Sequence, residues 1–270
     1  MRAFRLAYDG RPFYGFQRQP RVPTVEGAVL DALADLGVTD DPTDVPGGYA
    51  AAGRTDAGVS ARAQTVAFEG PEWLTPAALS GALPATVRAW AHADVPPEFH
   101  ATHDATRRAY VYHLHAPPGR TDDAAVRAAT DRLSGRHDFH NLTTDETGTE
   151  RELSLAAERD GDFLTLTAAA DGFARGLVRR LASVLAAVGR GEGDERWLDR
   201  LLSPAPVDGP DGVGPAPPEP LVLADVDYAD VAFAVDDAAA ADARAALGAR
   251  RVAARRADRA LGTVLDGLSL

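Results

Sequence analysis

The stretch Gly53-Arg54-Thr55-Asp56-Ala57-Gly58-Val59 sits between two strand-like runs, residues 49–52 and 61–68. Extended segments this close need a tight loop between them. Glycine supplies the backbone angles that other residues resist, so Gly53 and Gly58 fit such a loop. The loop would hold Asp56 at the end of a rigid sheet, facing a cleft, with Arg54 two residues away. A neighbouring positive charge keeps a carboxylate ionised, and a fixed ionised carboxylate can act as nucleophile or general base. Asp and Gly also dominate turns for local reasons. These residues alone therefore also fit a turn aspartate in a surface ion pair.

The rest of the chain is patterned around that loop. Phe4, Leu6 and Tyr8 alternate with Ala3, Arg5 and Ala7, the period of a strand. Thr24 is placed to cap a helix in which Val25, Ala28, Val29, Ala32, Leu33 and Leu36 keep helical spacing until Gly37. With a short helix over 76–83 and a strand over 87–95, the order becomes strand, helix, strand, strand, helix, strand. That is the ferredoxin-like plan used by RNA-binding modules. A second half begins near Asp104. It reads as a strand through Tyr110, Tyr112 and Leu114, an amphipathic helix over 122–133, and a hairpin of 152–159 with 163–170 turned by Asp160-Gly161-Asp162. A helix through Phe173, Leu177, Leu181, Val184, Leu185 and Val188 comes next, then a short helix over 194–202, a Pro- and Gly-rich loop over 203–220 and a closing strand over 221–226.

The expected fold is α+β: two tandem ferredoxin-like, RRM-like units with antiparallel sheets, residues 1–103 and 104–228, and a catalytic cleft between them. Residues 229–270 read as a helical extension of two Ala- and Arg-rich helices, 236–247 and 249–265, split by Gly248. Two roles suit the arginines of the second helix. They can pair with Asp236, Asp237 and Asp242 while Val252, Leu261, Val264 and Leu265 dock on the body, or they can contact RNA.

The motif GRTDAGVSA resembles the catalytic motif of the TruA family of tRNA pseudouridine synthases, usually GRTDaGVHA. Other pieces follow in the family's order: Tyr8-Asp9-Gly10 to Gly15-Phe16-Gln17, Thr24-Val25-Glu26-Gly27, Phe99-His100-Ala101, Arg107-Arg108-Ala109-Tyr110-Val111-Tyr112, His137-Asp138-Phe139, Gly172-Phe173 to Val178-Arg179, and Ala216-Pro217-Pro218-Glu219. The resemblance covers roughly residues 1–228. It implies that Asp56 is the catalytic carboxylate, that Tyr110 stacks on the target base, and that Arg179 pairs with Asp56 and orients it. Arg54 follows the same logic as a catalytic residue beside Asp56, and would also meet RNA phosphate or aid flipping. It further implies a homodimer acting on tRNA, converting uridine to pseudouridine at positions 38–40 of the anticodon stem-loop without metal or cofactor. Substrate contacts are expected from Arg11, Phe13, Gln17 and Arg18 in the loop 9–23, and from His100, Arg107 and Tyr110. Aromatic faces and guanidinium groups are what unpaired bases and phosphates require. Tyr112 shares the face of Tyr110 by period two and is the better core residue if the strand is bulged. Three departures stand out: Ser60 where the family has His, Thr102 where it has Arg, and Pro220 where it has Gly. An RNA chaperone on the same scaffold and a carboxylate glycosidase remain alternatives. The glycosidase normally needs two flanking acids, and the motif holds one.

Composition bounds the setting. Hydrophobic residues make up 45% of the 270, enough for a real core. There is no cysteine, and the histidine pairs His113/His115 and His137/His140 lack partners at ligand spacing, so no metal site is expected. No apolar run is long enough to span a membrane and no signal peptide opens the chain, so a cytoplasmic protein is expected. Net charge is −12, and all 28 basic residues are arginine. GC-rich codon usage would favour Ala, Arg, Asp and Gly but does not explain the acidic excess. Proteins that work in molar salt carry this balance, because salt screens their self-repulsion over about 3 Å.

Overall fold

The computed structural model describes residues 1–207, 209 and 212–268. Parts of the expected 203–220 loop and the last two residues of the extension lie outside the described residues. The fold is mixed α and β, built on one large, mostly antiparallel sheet. The strands are β1 (Arg2–Tyr8), β2 (Ala50–Ala51), β3 (Ser60–Phe68), β4 (Val87–Asp94), β5 (Ala105–His115), β6 (Gly135–Asp138), β7 (Glu150–Asp160), β8 (Phe163–Ala170), β9 (Leu221–Tyr228) and β10 (Ala234–Val235). The helices are α1 (Val25–Asp35), α2 (Pro76–Ala82), α3 (Asp123–Leu133), α4 (Leu177–Gly189), α5 (Glu195–Leu201) and α6 (Asp237–Asp266).

The sheet runs β10-β4-β1-β3-β9-β5-β8-β7-β6, with β2 also paired to β3. The closing strand β9 joins its two halves. It lies antiparallel to β5 along most of its length and parallel to β3 through Ser60↔Val222 and Ala61↔Leu223. Two hydrophobic cores flank this seam. One packs Phe4, Leu6, Phe16, Leu30, Leu33 and Phe68 with Leu223 and Val226 of β9; the other packs Tyr112, Leu133, Phe139, Leu181 and Leu185 with Leu221. Neighbouring residues of one strand thus seal two cores.

Local chemistry sets the helix starts. Thr24, Thr75, Asp122, Asp194 and Asp236 each cap a helix by accepting a backbone N–H with the side chain. α4 differs: it starts at Leu177 behind Gly176, whose φ is +68°. The expected helical phase through Phe173 is corrected here, because the left-handed Gly176 ends the loop and leaves Phe173 and Arg175 in front of the helix. Two short strands, β6 and β10, were not expected.

The extension differs most from expectation. It is one helix of 30 residues with Gly248 inside it. An interior glycine costs a helix only about 1 kcal/mol relative to alanine, and the flanking Ala, Leu and Arg are strong helix formers. Asp242 pairs with Arg88 of β4 at 2.7 Å, Asp236 is occupied as the cap, and Arg250 reaches Asp9. Val252, Leu261, Val264 and Leu265 are exposed rather than docked. The docking expected of these four side chains, and the pairing of the later arginines with Asp236, Asp237 and Asp242, are therefore overturned, while the first half of the helix does pack on the body. Among the described residues, no helix is long and apolar enough to cross a membrane.

Candidate active site

The loop carrying Asp56 is stitched to the loop that follows β1. Tyr8 and Thr55 share a buried hydroxyl hydrogen bond of 2.8 Å. Phe16 N–H donates to the Thr55 carbonyl at 2.9 Å, and Gly58 N–H to that of Phe13 at 3.2 Å. Gln64 Nε2 donates to the Gly53 carbonyl at 2.8 Å, fixing the entrance to the loop. The approach is close enough to require glycine at Gly10, where an added Cβ would lie 2.0 Å from the Val59 carbonyl oxygen. Gly58 turns the chain out of the loop at a φ of +82°. Ser60, the first departure, accepts the Gly10 N–H at 3.0 Å, so this position holds the two loops together.

The loop opens on a cavity of about 810 Å³ between the two halves of the sheet. Asp56 is half-buried in its wall. Across it, Arg179 of α4 donates from Nη1 to Asp56 Oδ2 at 3.1 Å and from Nε to the Ala216 carbonyl at 2.7 Å. The guanidinium is largely buried, so its fork is held at both ends and presents a fixed edge to the carboxylate. Arg54 lines the same cavity but is exposed; the ion pair of Asp56 is with Arg179.

Tyr110 of β5 also lines the cavity. Its ring meets Phe173 edge to face, with centroids 5.1 Å apart. Burial pushes its hydroxyl up to about 12, with Arg108 opposing and Asp56 adding to the rise. Tyr110 therefore stays a neutral phenol near neutrality. The β5–β9 register slips between Ala109 and Tyr110, and Tyr112, only 2% exposed, is packed in the second core.

Other expected contacts separate into two groups. Gln17 and His100 line the cavity, and so does Thr102, whose hydroxyl donates to the Ala51 carbonyl. Arg11, Phe13, Arg18 and Arg107 do not. Arg11 is bound to Asp9 through Nε at 2.8 Å and Nη2 at 2.7 Å. Phe13 is core, Arg18 donates to the Pro42 carbonyl, and Arg107 pairs with Asp227 at 3.2 Å. Successive β5 side chains leave opposite faces, so Arg108, not Arg107, turns towards the loops. It donates to the carbonyls of Ala52, Thr102 and Asp171, tying both halves together. Asp145 was not anticipated: it lines the cavity and accepts from Arg175 N–H at 2.7 Å. It comes from an irregular loop with no periodic signal. Tyr8 and Arg108 stood inside the quoted motifs but carried no sign of their partners.

A half-buried carboxylate held by an arginine, with a tyrosine on the same cavity, can act as base or nucleophile on a bound substrate. Residues 129–229 match the family model for tRNA pseudouridine synthase. The chain is 56% identical to tRNA pseudouridine synthase A of Haloarcula marismortui over 99% of this chain and 100% of that one. It is 60% identical to that of Natronomonas pharaonis over 93% and 94%, and 38% identical to that of Methanothrix thermoacetophila over 87% and 85%. The chain belongs to the tRNA pseudouridine synthase A family. Among solved structures, it has a distant likeness to an archaeal box H/ACA sRNP Nop10-Cbf5 complex, with a TM-score of 0.35 and 16% identity over 66% of this chain and 45% of that one.

Proposed function

We propose that this enzyme, a tRNA pseudouridine synthase that isomerises uridine to pseudouridine, uses Asp56 as its catalytic carboxylate and Arg179 to orient it. The observation that carries this reading is the 3.1 Å contact between Arg179 Nη1 and Asp56 Oδ2 on the cavity wall. The reaction breaks the bond from C1′ of the ribose to N1 of uracil, turns the base and rejoins it through C5. The target uridine must leave its stack to reach the cavity. Once there, it meets Asp56 on the sugar side and the ring of Tyr110, already propped by Phe173. An ionised carboxylate can attack C1′, add to C6 or take the proton from C2′, and all three routes need the geometry that Arg179 fixes. Gln17, His100 and Arg54 are the contacts we assign to the flipped nucleotide and its phosphates.

The finer features of this reading are uridines 38–40 as targets, a homodimer and a cytoplasmic setting. The −12 charge, the absence of lysine and the haloarchaeal relatives support work in high salt. Tandem ferredoxin-like units over 1–103 and 104–228 are supported by strand order. It is β4-β1-β3-β2 in one half and β9-β5-β8-β7-β6 in the other; with the short edge strand β6 set aside, each half places its four remaining strands fourth, first, third, second. Pseudouridine formation on an unmodified tRNA transcript, measured for the wild type and for Asp56→Asn, tests the proposal. Equal activity of the two would overturn the assignment of Asp56.

A further inference from the structure

Beyond Arg250, α6 leaves the body of the protein. Its first half is docked: Ala239, Ala240 and Ala243 are buried, and Asp242 pairs with Arg88. Arg250 Nε meets Asp9 Oδ2 at 2.5 Å, while Asp9 also holds Arg11. From Arg251 onward nearly every residue is exposed. At 1.5 Å per residue the free part runs about 24 Å.

Four arginines lie on that free part, Arg251, Arg255, Arg256 and Arg259, with Asp258 among them. Positions 251, 255 and 259 fall on one helical stripe and 256 flanks it. The side carrying Arg250, Ala253 and Ala254 borders Arg11 and Pro12 of the body, so the stripe points the other way. None of the four is in an ion pair among the described residues. In a chain where acids outnumber bases 40 to 28, this unpaired basic face is complementary to a polyanion.

The root of the helix stands behind the catalytic loop. Asp9, which grips Arg250, precedes Gly10, and Gly10 is bonded to Ser60 and lies against Val59. We infer that α6 beyond Arg250 is an arm that grips the phosphate backbone of the tRNA while the target uridine occupies the cavity. The inference rests on the tRNA reading above. In molar salt, screening over about 3 Å removes steering at a distance. Direct contacts survive, and guanidinium makes paired hydrogen bonds to phosphate that an ammonium cannot.

The test is the full-length chain with Arg251, Arg255, Arg256 and Arg259 all changed to Gln, assayed with an unmodified full-length tRNA transcript over a range of salt. The expected result is a rise in Kd and KM of about tenfold or more in moderate salt, with kcat held. Each phosphate contact contributes roughly 0.7–0.9 to the slope of log affinity on log salt, so the variant's slope should be shallower by about 3. Helicity and thermal midpoint should not change, because all four side chains are exposed. Unchanged affinity and slope would overturn the arm. So would unchanged affinity together with a lower oligomeric mass, which would give this face to a second copy of the chain. Failure of the catalytic reading looks different: a wild type that binds tRNA through these arginines but makes no pseudouridine keeps the arm and loses the isomerase.

Discussion

Arg179 and Asp56 come from opposite sides of the seam in the sheet, 123 positions apart in the chain, and meet at 3.1 Å. Arg179 is fixed from behind by the Ala216 carbonyl, and Asp56 by a loop bonded to Tyr8, Phe13 and Phe16. The contact therefore forms only when both halves and β9 are in place. Asp56→Asn keeps the shape of this site and removes the charge. It should reduce pseudouridine formation at least ~10²-fold, the usual cost of losing such a group, while tRNA binding stays close to wild type. Single-turnover assays and binding isotherms on the same protein separate the two effects.

Arg179→Lys should fail despite conserving charge. One ammonium cannot span the Ala216 carbonyl and the Asp56 carboxylate as the guanidinium fork does. The expected outcome is a fall in kcat of about tenfold or more with KM little changed, since Arg179 acts through Asp56. A KM effect alone would place Arg179 on the substrate instead.

Most of the regular structure was legible because it rests on local rules. The cap at Thr24, the helix starts near Asp122 and Asp194, the turn at Gly161 and the two-residue alternation of β1 all act within a few residues. The candidate site was legible as a grouping: its motifs hold Asp56, Tyr110 and Arg179, and the fold brings these three to one cavity. What could not be read depends on distant partners. Arg11 looked like an RNA contact because its partner choice, Asp9 with Arg250, is settled by a helix over 200 residues away. Arg107 and Arg108 were indistinguishable until the pleat of β5 assigned them faces. Gly248 taken alone reads as a break, whereas the helix is decided by the summed propensity of the residues around it.

Tyr110→Phe keeps the edge-to-face contact with Phe173. It should leave tRNA affinity intact and lower turnover, because it removes a neutral hydroxyl beside Asp56. With its pKa near 12, Tyr110 stays protonated through the alkaline range. The wild-type rate profile should therefore show no alkaline limb at the ordinary tyrosine value of about 10. If Phe matches wild type while Ala fails, Tyr110 is a stacking platform alone.

Asp9 should make stability depend on acid. Burial alone would raise its pKa, but hydrogen bonds from Arg11 and Arg250 hold it at about 2, against 3.8 for the free group. A depressed carboxylate stabilises the fold above its unfolded value and loses that contribution as pH falls through the folded one. The window is therefore about pH 4 down to 2, and the effect is about 1–2 kcal/mol. Unfolding in denaturant at constant salt should show this loss in the wild type, and Asp9→Asn should remove it from the difference between pH 5 and pH 2.

Two truncations should separate the docked and free parts of the extension. Ending the chain after Arg250 removes a segment that is almost wholly exposed, so the thermal midpoint should shift by less than about 2 °C. Ending it after Ala229 is different. It removes Phe233, whose ring lies 4.3 Å from the Arg5 guanidinium and packs near Tyr228. It also removes the β10 pairing with β4, the buried Ala239, Ala240 and Ala243, and the ion pairs of Asp242 and Arg250. Arg5 would keep its bonds to the Ala63 and Val226 carbonyls but lose its cover. Burial and cation–π contact on this scale are worth about 3–5 kcal/mol. At 2–4 °C per kcal/mol for a chain of this size, the midpoint should fall by about 10 °C. Melts at matched salt check both. A large fall in the shorter truncation would show that the free segment is held to the body in solution.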